Sequence, residues 1–111
     1  MFKKSDVSGY KCPLDRIKFK TLVYGEKTLL AEFKLEKGAF LPRHKHSYEQ
    51  TGYLVSGKIE LTIGNETHSL SQGDSWCIPE NIEHHARAFD DSVAIEVFSP
   101  VREDYLPDAM I

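Results

Sequence analysis

Short runs of alternating apolar and polar residues, each stopped by a turn signal, organise most of this chain. Residues 17–24 alternate and end at Gly25-Glu26. Residues 27–36 carry Leu29, Ala31, Phe33 and Leu35 on one face and Lys34 and Glu36 on the other, until Gly38 breaks the pattern. Residues 51–55 form a short run closed by Ser56-Gly57. Residues 58–63 set Ile59, Leu61 and Ile63 to one side, and Gly64-Asn65 makes a two-residue hairpin turn into residues 66–70. After the turn Gln72-Gly73-Asp74, residues 75–78 lead to Pro79, and residues 92–98 form a last run before Pro100. A period of two is that of β-strands with one buried face. No helical period is sustained in the middle of the chain, so closely spaced strands predict an all-β sandwich or barrel. The barrel is expected over 17–100, with an N-terminal arm at 1–16. Residues 101–111, with Pro107, are expected to be a tail or one helical turn.

Size and charge narrow the function. A chain of 111 residues suits one domain, and 41% hydrophobic with 28% charged residues is the balance of a water-soluble globular protein. A net charge of -3 offers no basic patch for nucleic acid or an anionic membrane. Lys3 and Lys4 are followed by no apolar stretch, so no secretory signal is expected, and no apolar run approaches the roughly 20 residues of a membrane span. Cys12 and Cys77 share no zinc spacing and are expected as free thiols in a reducing cytoplasm, with Cys77 a small core residue between Trp76 and Ile78.

The chemistry is carried by histidine. Of five histidines, four fall in two clusters, His44 with His46 and His84 with His85. On one extended strand, positions 44 and 46 face the same way and can chelate one ion, and Gln50 shares their parity while Glu49 does not. A bulge could instead bring Glu49 in as a carboxylate ligand. His84 would close the site from a distant strand. His85, on the opposite face, is read as a rim or surface side chain, and His68 as solvated.

Gly38, His44, His46, Gln50 and Gly57 stand at the spacing of the first cupin motif, and Gly73, Pro79 and His84 at that of the second. The chain thus resembles the cupin superfamily. The resemblance implies a single-domain, jelly-roll-like β-barrel (a double-stranded β-helix) holding one divalent transition metal on His44, His46, Gln50 and His84. Two positions depart from the usual pattern: Gln50 stands where a glutamate is usual, and Asn81 where a glycine is. Asn tolerates positive φ, so the turn survives. Gln50 brings no charge, which leaves a divalent ion at its full +2, more weakly retained and more attractive to an anionic ligand. The donor set suits Ni, Mn, Fe, Co, Zn or Cu.

Along residues 92–98, Val93, Ile95 and Val97 form one face and Ala94, Glu96 and Phe98 the other. If the second face lines the barrel, a carboxylate sits near the metal, and Arg102 beyond Pro100 reaches over the mouth. The alternative is a solvent-facing Glu96, with Arg102 paired to Glu103 or Asp104. With the run Gln50-Thr51-Gly52-Tyr53, this tail resembles the pectin-degradation cupins, which convert unsaturated uronic acids into linear keto sugars. That resemblance implies a catalytic pair Glu96 and Arg102, and substrate contacts from Phe98, Tyr53 and Arg102. The acid there is typically aspartate, so Glu96 is one methylene longer. Three other readings are a non-catalytic sugar-binding module, a metal-dependent dioxygenase and a metal-free barrel. Exposed strand edges and apolar faces on so small a barrel lead us to expect a homodimer.

Overall fold

The computed structural model describes residues 1–106, so residues 107–111 of the expected tail lie outside the described residues. Ten strands follow in order: β1 (Lys11–Leu14), β2 (Ile17–Tyr24), β3 (Leu29–Leu35), β4 (Phe40–His44), β5 (Glu49–Ser56), β6 (Lys58–Ile63), β7 (Glu66–Ser71), β8 (Ser75–Ile78), β9 (His84–Ala88) and β10 (Ser92–Ser99). One 3-10 turn, Glu103–Tyr105, succeeds them. Residues 11–14 of the expected arm pair antiparallel with β2 and lengthen the sheet. Among the described residues no helix is long and apolar enough to cross a membrane.

The strands form two antiparallel sheets, a six-stranded one in the order β1-β2-β3-β10-β5-β8 and a four-stranded one in the order β4-β9-β6-β7. This is the all-β barrel that the alternating pattern predicts. Each sheet turns its alternate apolar residues inward. On β5 the even positions Gln50, Gly52 and Leu54 are buried and the odd ones exposed. Leu54, Ile59, Leu61, Ile78, Ala86 and Ala94 meet between the sheets. A second cluster of Leu29, Ala31 and Phe98 collects Phe33, Tyr48 and Tyr105 at the barrel's other end. Cys77 is exposed, against expectation, because β8 buries Ile78 and turns position 77 outward.

Turn chemistry sets the register. Gly64 has φ 60°, and Asn65 does not share the positive φ, the II′ pattern that matches strand twist in a two-residue hairpin. Asn81 stands at φ 63°, the left-handed conformation expected of it. Gly57, at φ 99°, is constrained twice over, since a Cβ there would lie 2.1 Å from Ser92 Oγ and 2.5 Å from the Asp91 carbonyl. Gly73 has a similar φ of 93° with open space around it. Gly57→Ala is therefore expected to destabilise by about 2–4 kcal/mol. Gly73→Ala carries backbone strain alone and should cost about 1–2 kcal/mol. Urea midpoints of the two variants check the ranking, and equal losses would remove the steric argument.

Candidate metal centre

His44 and His84 are cross-strand partners on β4 and β9, with ring centroids 4.2 Å apart. Their common face is the work of a bulge. β4 pairs Leu41 with Ala86 but His44 with His84, so three steps on one strand meet two on the other. Without that extra residue at Pro42-Arg43, His44 would point outward. The uninterrupted strand expected through residues 44–50 is not what aligns the histidines. β4 ends at His44, residues 45–48 form a connection between the sheets, and β5 restarts at Glu49. His46 sits in that connection, which is tied to the 79–82 turn by the Asn81 N–H donating to the His46 carbonyl at 2.7 Å. Gln50 then arrives on the inward face of β5, and Glu49 points outward, exposed.

The three imidazoles each offer a nitrogen within 4.8 Å of the others. Their orientation follows from the backbone. His44 Nδ1 lies 2.8 Å from the Pro42 carbonyl, His46 Nδ1 3.2 Å from that of Tyr48 and His84 Nδ1 2.9 Å from that of Ile82. A carbonyl only accepts, so each Nδ1 carries the proton and each Nε2 presents a lone pair. His84 Nε2 is buried without a hydrogen-bond partner among the described residues. His46 Nε2 faces Gln50 Oε1 at 3.0 Å, acceptor against acceptor once Nδ1 holds the proton. A converging set of lone pairs with no proton to share, one of them fully buried, fits a cation, and carbonyl-anchored imidazoles are how proteins orient metal ligands. The residues thus fit a divalent ion, and the neutral nitrogen and amide donors suit a borderline transition metal.

Charge on His84 and His46 is disfavoured. Burial above all, then the neighbouring histidines and Arg102, lowers the His84 pKa to about 4, although its bond to Ile82 works the other way. His46 is lowered too, first by burial and then by Arg102.

His44 and His84 open onto a cavity of about 380 Å³ between the sheets, whose wall includes Gln50, Trp76, Glu96, Arg102 and Tyr105 and whose depth is apolar, with Ile59, Leu61 and Ile78. Glu96 faces inward. Burial raises its pKa to about 7, against hydrogen bonds from Gln50 and Trp76 and the charge of Arg102, all of which lower it. Arg102 lies over the Tyr105 ring at 3.7 Å and 5.0 Å from both Tyr48 and Phe98. Its Nε and Nη2 donate to Asp104 at 3.2 and 2.6 Å. Both sequence alternatives for Arg102 thus hold together: it pairs with Asp104 and it reaches the cavity.

Two expected substrate contacts are placed elsewhere. Tyr53 is half exposed on the outer face, because it is an odd position of β5. Phe98 faces inward but lies buried beneath His46 and Arg102, closed over by Tyr48 and Tyr105. His85 is on the outer face beside Phe40 and Arg43, as its parity implied. His68 is exposed near Glu66. Trp76 and Tyr105 are wall residues that periodicity did not reveal. Trp76 stands on a four-residue strand too short to show a pattern.

The chain matches the family model of the cupin domain over residues 31–99. Among solved structures it is similar to KdgF from a Halomonas species, at 31% identity and a TM-score of 0.83 over 87% of this chain and 90% of that one. It is also similar to an RmlC-like cupin from Shewanella frigidimarina, at 25% identity and a TM-score of 0.88 over 95% of both chains. A third, the SPY1581 protein of unknown function from Streptococcus pyogenes, shares 27% identity, with a TM-score of 0.70 over 78% of this chain and 75% of that one. No curated protein sequence matches the chain.

The opposed shifts of His84 and Glu96 make a test in metal-free protein. A lowered histidine pKa contributes stability above its ordinary 6.5 and loses it as pH falls towards about 4. A raised carboxyl pKa contributes stability below its ordinary 4.5 and loses it as pH rises through about 7. Each spans on the order of 3 kcal/mol, and between the two ordinary values they offset each other. Relative to wild type, Glu96→Gln should steepen the loss of stability on acidification from pH 6.5, and His84→Gln should flatten it. Urea titrations across that window decide, and parallel curves for both variants would refute the assignment.

Proposed function

The chain belongs to the cupin family, and from that membership and the contents of its cavity we propose that it is a metal-dependent enzyme converting unsaturated uronic acids into linear keto sugars. One observation carries the reading: His44 and His84, two of three converging histidines, border the same cavity as the Glu96 carboxyl group and Arg102. The resemblance to the pectin-degradation cupins and the likeness to Halomonas KdgF support it.

His44, His46, Gln50 and His84 would hold one divalent transition ion, such as Ni, Mn, Fe, Co or Zn. When bound, the ion supplies a Lewis acid for the substrate's ring oxygens. Asp104 engages Nε and Nη2 of Arg102, which leaves Nη1 as the donor for the substrate carboxylate. Glu96, with a pKa of about 7, can both give and take a proton at neutral pH. In its acid form it protonates the enol-ether carbon farther from the ring oxygen, while water adds to the carbon bearing that oxygen and gives up a proton to the carboxylate left behind. As the bond to the ring oxygen breaks, Glu96 gives that oxygen its proton and takes the proton of the hemiketal hydroxyl, so a ketone forms and the ring opens. The uncharged Gln50 leaves more positive charge in the site than a glutamate would, which favours an acidic sugar.

Elemental analysis of untagged protein purified without chelators should find near-stoichiometric metal that His46→Ala abolishes. Turnover of lyase-generated unsaturated uronates should fall at least a hundredfold in Glu96→Gln while metal is kept. Metal-free wild type would overturn the centre. Uronate binding without turnover would leave a binding module instead of an enzyme.

We also infer a homodimer through the outer face of the six-stranded sheet, where Leu30, Ile95 and Val97 adjoin Tyr53 and Val55, which are 50% and 40% exposed. Light scattering should give twice the chain mass, and Val97→Lys should give a monomer. A monomeric wild type would refute the inference.

A further inference from the structure

Glu96 is held at its far end by a group that nothing in the metal centre requires. Strands β10, β5 and β8 lie side by side, and Glu96, Gly52 and Trp76 stand in one row across them. Trp76 Nε1 donates to Glu96 Oε1 at 3.2 Å. The two are next-but-one neighbours, and the bond crosses the strand between them. It can do so only because position 52 has no side chain. A Cβ on Gly52 would fall 2.1 Å from Trp76 Cε2 and 2.4 Å from its Nε1. Gly52 is not among the residues with positive φ, so backbone conformation makes no demand for glycine there. The demand is for the volume that the indole occupies.

We propose that Trp76 is a positioning residue that fixes the Glu96 carboxylate in the cavity, with Gly52 as the slot that admits its indole. The proposal rests on the reading of Glu96 as the proton-transfer group. A glutamate carries one more rotatable bond than an aspartate, and proton transfer needs its oxygen at one place. Gln50 contacts the carboxylate from the metal side, and Trp76 meets it from the β8 side. The indole is a donor only, so it constrains the carboxylate without competing for its proton. If Trp76 served merely to fill the wall, a phenylalanine would serve as well.

The chain has a single tryptophan, so the indole N–H gives one resonance in a nitrogen-15 spectrum. In Trp76→Phe, kcat on unsaturated uronate should fall roughly ten- to hundredfold, with KM and metal content unchanged. Gly52→Ala, which removes no polar group and only blocks the slot, should reproduce that loss and displace the indole resonance. Independently of turnover, Glu96→Ala should shift that resonance upfield and speed its exchange with solvent. Wild-type kcat in Trp76→Phe would overturn the proposal, as would an indole signal indifferent to Glu96→Ala. If wild type does not turn over the uronate, the enzymatic reading fails on its own, and the resonance alone decides whether the indole holds the carboxylate.

Discussion

Three imidazole lone pairs turned towards one another are the constraint around which this barrel is arranged. Each ring gives its only proton to a backbone carbonyl two residues away, so no ring can satisfy another. Protonating His46 or His84 would place charge in a poorly solvated place beside another imidazole and Arg102, which lowers both pKa values. A cation is the occupant that answers all three at once. The fold must therefore hold the rings together against their mutual indifference, through the 42–43 bulge, the 45–48 connection and the turn at Asn81.

The centre straddles both sheets. The four-stranded sheet supplies His44 and His84, while the six-stranded sheet supplies Gln50, Glu96 and Trp76. His46 lies in the connection between them. Metal ligation would thus clamp the two sheets face to face, so stability and site occupancy are linked. Gln50 stands at the junction, with its amide oxygen towards His46 and its side chain hydrogen bonded to Glu96. A glutamate in its place would set a second carboxylate against Glu96, with no N–H to offer it. The departure from the usual family residue is consistent with a carboxyl group in that position on β10.

The chain beyond β10 contributes more than a terminus. Thr21 Oγ1 donates to the Tyr105 carbonyl, and the Tyr105 ring packs on Phe19, Phe33 and Phe98. That anchorage carries Arg102 over the cavity, where three aromatic rings and Asp104 hold its guanidinium. An arginine so fixed loses little further entropy on meeting a ligand carboxylate.

Alternation along the chain was enough to read most of the strands, the barrel and the two faces of β10, though not which of those faces turns inward, because period two is a local property of each segment. The histidine clusters and the glycine, proline and asparagine spacings also pointed to the site's members, and Asn81 and Gly64 adopt the conformations their residue types favour. Parity reasoning reached His44, His46 and Gln50 through a strand that does not exist, since a bulge and a loop restore the facing that a continuous strand would have given. Tyr53, at an odd position of β5, faces outward, whereas Phe98 shares the inward face and is removed from the cavity only by the rings that close over it. Trp76 was invisible in the sequence because its role depends on Gly52 and Glu96, which are distant in the chain and adjacent only across three paired strands. The sequence by itself determined which residues share a face within each unbroken strand. Tertiary structure decided which of them meet, because register, bulges and the approach of the two sheets are set by contacts between segments that no single stretch of sequence contains.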